Sequence, residues 1–102
     1  MLTNEEVVKK FLNGEVGGAA QMFSTGDTLF SHEITIAYRL QDGQRYVINV
    51  TRFKHKGLSR HQGLLRRGLN AIKAERVRQK KPPLVIDTFE RSESEPVAQG
   101  KA

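Results

Sequence analysis

The chain has 102 residues, 37% of them hydrophobic and 7% aromatic, with no Trp, so a core has to rest on Leu, Ile, Val and a few Phe. The absence of Cys excludes a disulfide framework, a thiol nucleophile and a thiolate zinc site, and no segment has the length of a transmembrane helix. A net charge of +6 and a pI near 10.0 point to an anionic partner: nucleic acid, a membrane surface or an acidic protein.

In chain order, MLTNEEVVKKFL reads as a short helix and not as a signal peptide, so a cytoplasmic location is expected. Thr3 or Asn4 is the N-cap of a helix over about Glu5 to Asn13. Val7, Val8, Phe11 and Leu12 form its apolar stripe, and Asn13-Gly14 ends it. Gly17-Gly18 marks a bend, Ala19 to Ser24 is a weak strand, and Thr25-Gly26-Asp27 is a turn. From Phe30 to Leu40 the alternation Phe30, His32, Ile34, Ile36, Tyr38, Leu40 predicts one half-buried antiparallel strand. Asp42-Gly43 is a hairpin signal, and Arg45 to Phe53 is the return strand. One register pairs Leu40 with Arg45, Tyr38 with Val47, Ile36 with Asn49 and Glu33 with Arg52. A shift of one residue pairs Tyr38 with Ile48 and Ile36 with Val50. The shifted register is favoured, because burying Asn49 costs more than an exposed Glu33–Arg52 pair returns.

After a basic loop from Phe53 to Gly57, Ser59-Arg60-His61-Gln62 matches a capping box opening a second helix that runs to about Gln79. Leu58, Leu65, Leu69 and Ile72 fall on one face of it. Gly63 and Gly68 each weaken it by about 1 kcal/mol relative to Ala. Pro82-Pro83 stops it, and Leu84 to Phe89 is a final edge strand or a docked extended segment. These elements predict a single α+β domain over 1–89: a three-stranded antiparallel meander packed against the C-terminal helix, with a short N-terminal helix. A disordered tail is expected over 90–102. An exposed sheet edge leaves a homodimer open.

The residues Arg52 to Lys81 hold eleven Lys or Arg and one acid, Glu75, for a net +10, so the rest of the chain sums to −4. Lys54, Lys56 and Arg60 sit where a loop meets a helix N-terminus, and Arg66, Arg67 and Lys73 continue the charge along the helix. With His61 they form the candidate phosphate-contacting set of a nucleic-acid-binding surface. The histidines, His32, His55 and His61, lack the i, i+4 spacing of a helical metal site. His55 or His61 near Arg60 and Lys54, with Glu33 across the sheet, is the one constellation on which a nuclease reading rests. No motif of fixed mechanistic spacing occurs, so no catalytic residue, metal or cofactor is assigned.

Two resemblances bear on this. The layout of a helix, three strands and a helix over residues 4–79, with Lys54, Lys56, Arg60 and His61 at the start of the last helix, resembles the double-stranded RNA-binding domain. In that family lysines at this place contact phosphates across a groove. Its small-residue-rich core in the last helix is missing here. Leu29-Phe30-Ser31, Ile36-Ala37, Thr51-Arg52-Phe53 and Ser59-Arg60-His61-Gln62 are similar, over residues 17–66, to a widespread set of small, uncharacterised proteins of phages, plasmids and bacterial genomes. His32 and Lys56-Gly57-Leu58 depart from that pattern, which has Tyr and hydroxyl residues there. This second resemblance implies a mobile-element origin. The expected function is therefore non-enzymatic binding of double-stranded DNA or RNA through the basic loop and helix. The alternative is a small phage or mobile-element inhibitor binding a host nucleic-acid-processing protein complex, and a minor nuclease is the third reading.

Overall fold

A computed structural model of the chain describes residues 1–93. Two helices pack on a six-stranded sheet whose strands lie in sequence order. Helix α1 (Asn4–Leu12) is followed by β1 (Val16–Gly18), β2 (Met22–Thr25), β3 (Thr28–Ser31), β4 (Ile34–Leu40) and β5 (Arg45–Asn49). Helix α2 (Lys56–Arg78) then crosses over to β6 (Val85–Phe89). Neighbouring strands run antiparallel except β5 and β6, which are parallel, so β5–α2–β6 is a crossover unit appended to a meander.

The class is α+β, as expected, but the three-stranded α-β-β-β-α layout is replaced by five strands between the helices and a sixth after α2. The first source of the error is the run from Phe30 to Leu40. It is two strands, turned at His32 and Glu33, whose φ angles are 50° and 68°. Two successive positive φ angles make a tight hairpin turn that usually recruits Gly or Asn. With neither residue there, the alternation appeared unbroken. The second source is Val16–Gly18, which pairs with Phe23–Thr25 as an edge strand instead of bending freely.

The hairpin of β4 and β5 has the register that sequence reasoning disfavoured: Leu40 pairs with Arg45 and Tyr38 with Val47. Asn49 is buried, yet its cost is offset by three hydrogen bonds. Its Nδ2 donates to the Thr35 and Arg91 carbonyls at 2.9 Å each, and its Oδ1 accepts from the Thr51 amide at 3.0 Å. Glu33 sits in the β3–β4 turn, and the Glu33–Arg52 pair attached to this disfavoured register is not among the ion pairs of the described residues. A bulge opposite Leu29 and Phe30 leaves Ile36 as the extra residue, and Ile36 and Ala37 are both fully buried.

The core joins Val7, Val8 and Phe11 of α1 to Met22, Leu29, Ile36 and Tyr46 of the sheet and Leu58, Leu65 and Leu69 of α2. Each Leu so buried contributes about 1.5–3 kcal/mol. Thr3 caps α1 through a complete capping box with Glu6. Gly68 permits close approach of the two helices, since a Cβ there would lie 2.7 Å from Leu12 Cδ1. Of the segment Leu84 to Phe89, Val85–Phe89 forms an edge strand, as one of the two readings held. Of the expected tail, residues 90–93 are irregular chain, anchored by the Arg91 amide donating to Thr51 Oγ1 at 2.8 Å. Residues 94–102 lie outside the described residues. Among the described residues no helix is long and apolar enough to cross a membrane.

Candidate nucleic-acid interface

The start of α2 organises the candidate site. The helix begins at Lys56 with His55 as its N-cap, whose Nδ1 accepts from the Leu58 amide at 3.3 Å. The expected capping box at Ser59 and Gln62 is not formed, because both residues already lie inside the helix. Ser59 Oγ donates back to the Phe53 carbonyl, and Gln62 Nε2 donates to the Asn49 and Thr51 carbonyls at 2.9 and 3.1 Å. These bonds tie the loop after β5 to the first turns of α2.

Six of the seven candidate residues remain accessible. Lys54 is exposed in the loop, and Lys56, Arg60, Arg66, Arg67 and Lys73 are exposed on α2. With about 100° of rotation per residue, Arg60 and Arg67 form one row and Arg66 and Lys73 a second row beside it. Ion pairs among the described residues are Lys10–Glu15, Arg45–Asp87 and Arg78–Glu75, so none of the six cations is matched by an acid there. The guanidinium of Arg78, at the far end of the helix, is committed to Glu75 and that of Arg76 to the Pro82 carbonyl.

The seventh candidate, His61, is corrected: it is 2% exposed and cannot touch a partner. Its Nε2 lies 3.0 Å from Asn4 Nδ2, and its Nδ1 lies 2.6 Å from Ser31 Oγ. An amide NH2 only donates, so Nε2 is the acceptor and Nδ1 carries the hydrogen that Ser31 receives. The chain Asn4–His61–Ser31 thus links α1, α2 and β3. Burial, then the neighbouring charges of His32, Arg60 and His55, hold the His61 pKa below its ordinary value, which keeps the ring neutral.

Three imidazoles converge at this corner, which their sequence spacing did not suggest. His32 stacks on His61 at 5.6 Å with 9° between planes, and lies 4.5 Å from His55. Gly57 is required by this contact, because a Cβ there would fall 2.9 Å from His32 Nε2. Among the described residues no group of three or more His, Cys, Asp or Glu side chains is placed to hold a metal ion. Nor does the corner supply a nucleophile and base. Ser31 has no exposed surface, and His61 donates to it, so the ring has no free lone pair aimed at the hydroxyl.

Beside this corner, on the other flank of α2, lies a polar cleft of about 480 Å³ lined by Val50, Thr51, Arg52, Phe53, Ser59, Gln62 and Arg66. Of its lining only Arg66 belongs to the set chosen from sequence. In sequence Arg52 and Phe53 read as a strand end and Gln62 as a helix cap, so none of the three stands out as a site residue. The signal available was the order strand, loop, helix, strand, which places a loop at the carboxyl end of a parallel strand. No protein-family model, curated protein or solved structure matches the chain.

Proposed function

We propose that the protein is a non-enzymatic nucleic-acid-binding module. It contacts the phosphates of double-stranded DNA or RNA through Lys54, Lys56, Arg60, Arg66, Arg67 and Lys73. The observation that carries this reading is that these six cations lie exposed along one loop and one helix with no acid paired to any of them among the described residues. A surface meant only for solubility intersperses both signs. Here Glu75 is the one acid between Arg52 and Lys81, and it is taken by Arg78. Unmatched guanidinium and ammonium groups release condensed counterions from a polyanion and bind its backbone without reading its bases. Two rows of cations along successive helical turns also suit an extended anion better than a point charge.

Affinity for duplex DNA, duplex RNA and single strands at two salt concentrations tests the proposal. A log–log slope of about −0.9 per neutralised phosphate is expected on B-DNA. Arg60→Glu together with Arg67→Glu is expected to abolish binding while the circular dichroism spectrum stays as it was. If no nucleic acid binds at low salt, the reading is wrong, and an acidic protein surface becomes the partner to seek.

A further inference from the structure

The cleft beside α2 has features that a backbone-binding surface does not need. It sits at the carboxyl ends of β5 and β6, where Asn49 pairs with Phe89 in the one parallel pair of the sheet. Its walls are the segment after β5 and the first turns of the crossover helix. In sheets with parallel crossovers, ligands bind at that end, where strand ends and helix start diverge. The volume of about 480 Å³ lies within the range of small-molecule sites.

The lining is chemically mixed in a particular way. Arg52 and Arg66 are exposed cations, and neither takes part in an ion pair among the described residues. Phe53 and Val50 supply an aromatic ring and an apolar wall. Gln62 is fixed, because both hydrogens of its amide are used on the Asn49 and Thr51 carbonyls. The group it retains for a ligand is therefore Oε1, an acceptor suited to an N–H on a base edge. Guanidinium groups bind phosphate, an aromatic face takes a base, and a fixed acceptor orients it.

From this we infer that the cleft is a binding site for one nucleoside phosphate unit. The base packs against Phe53 with an edge N–H on Gln62 Oε1, and the phosphate is held by Arg52 and Arg66. The inference rests on the reading of α2 as a phosphate-binding surface in one respect: Arg66 belongs both to the cleft and, with Lys73 two turns on, to the row of cations that leads out of it. That continuity makes an unpaired nucleotide at the end of a duplex the natural occupant, with the duplex backbone running along α2. A free mononucleotide carries the same chemistry.

The test compares a blunt duplex, a duplex of equal phosphate number with a short single-stranded overhang, and adenosine monophosphate. Binding is followed by fluorescence anisotropy and by amide chemical shifts. The overhang duplex is expected to bind about tenfold tighter than the blunt one, the scale of one stacked base. Shifts are expected at residues 50–53, 59, 62 and 66. Arg52→Ala and, separately, the cleft-filling Val50→Trp are expected to bring that ratio to about one. Arg67→Ala is expected to weaken both duplexes alike and keep the ratio. Equal binding of the two duplexes by the unchanged protein, or a ratio that survives both cleft variants in their folded form, overturns the inference and leaves backbone binding intact. If neither duplex binds, the function proposed above fails on its own. Adenosine monophosphate then decides the cleft: shifts confined to its lining support a mononucleotide site, and their absence overturns it.

Discussion

His61 and Gln62 are consecutive residues on the same turn of α2, and the two flanks of the helix that they serve differ in kind. On the His61 side, Ser31 and His61 are buried, and with the half-buried Asn4 they satisfy one another. On the Gln62 side, the amide anchors two carbonyls and then opens onto a cleft with two exposed, unmatched arginines. Both sides are polar, and both looked alike as a string of His, Gln, Ser and Arg. What separates them is closure. A polar cluster whose donors and acceptors are used internally specifies packing, whereas one with surplus charge open to solvent has capacity left for a partner.

The largest effect is expected from breaking the closed side. His61→Ala removes a fully packed ring and leaves Ser31 and Asn4 without their partner. The lost packing and the buried unpaired hydroxyl together cost about 3 kcal/mol. In thermal melts a domain of this size then loses about 12–24 °C. The salt slope of nucleic-acid binding, measured below the melt, is expected to stay at its original value. A change in that slope with a retained melting temperature would place His61 in the binding surface after all.

Gln62→Leu sharpens the comparison from the other side. The substitution keeps the volume and strands the Asn49 and Thr51 carbonyls, for a cost of about 2 kcal/mol by loss of two hydrogen bonds. The loop after β5 is expected to loosen, with faster amide exchange over residues 50–53, while the Ser31–His61 corner keeps its protection. Equal deprotection of both corners would mean that the two flanks unfold as one unit.

How much of this was legible beforehand follows the same division. Periodicity identified both helices, the buried stripe of Leu58, Leu65 and Leu69, and the exposed cations, because each depends on local spacing. The turn at His32-Glu33 was hidden, since the positive φ angles there fall on residues that carry no Gly signal. The β4–β5 register is not legible locally, because burying Asn49 is costly only without its partners, and those come from Thr35, Thr51 and Arg91, which no local pattern brings together. In sequence His61 reads as a surface residue for a related reason. At 100° per residue it borders the apolar arc, but only Ser31 and Asn4, distant in sequence, show that the arc closes over it. The parallel direction of β6 was also hidden, and with it the cleft, because strand direction after a helix is a tertiary decision.

The smallest effect is the pH dependence of the closed side. His61 has a pKa below 6.5 in the folded chain, through burial first and then the charges of His32, Arg60 and His55. Above the unfolded pKa both states are neutral, and the corner contributes its full stability. As pH falls below 6.5 the unfolded chain binds a proton that the folded one refuses, so stability declines until pH passes the folded pKa. One such group changes stability by at most about 1.4 kcal/mol per pH unit. The geometry opposes protonation directly, since a proton on Nε2 would face the donating amide of Asn4. Melting temperatures taken from about pH 8 down to about pH 5 are expected to fall at the acid end for the unchanged protein and to flatten in His61→Gln, which cannot titrate. If both proteins fall in parallel, the pH response does not come from His61. The closed corner would then contribute packing without any pH response.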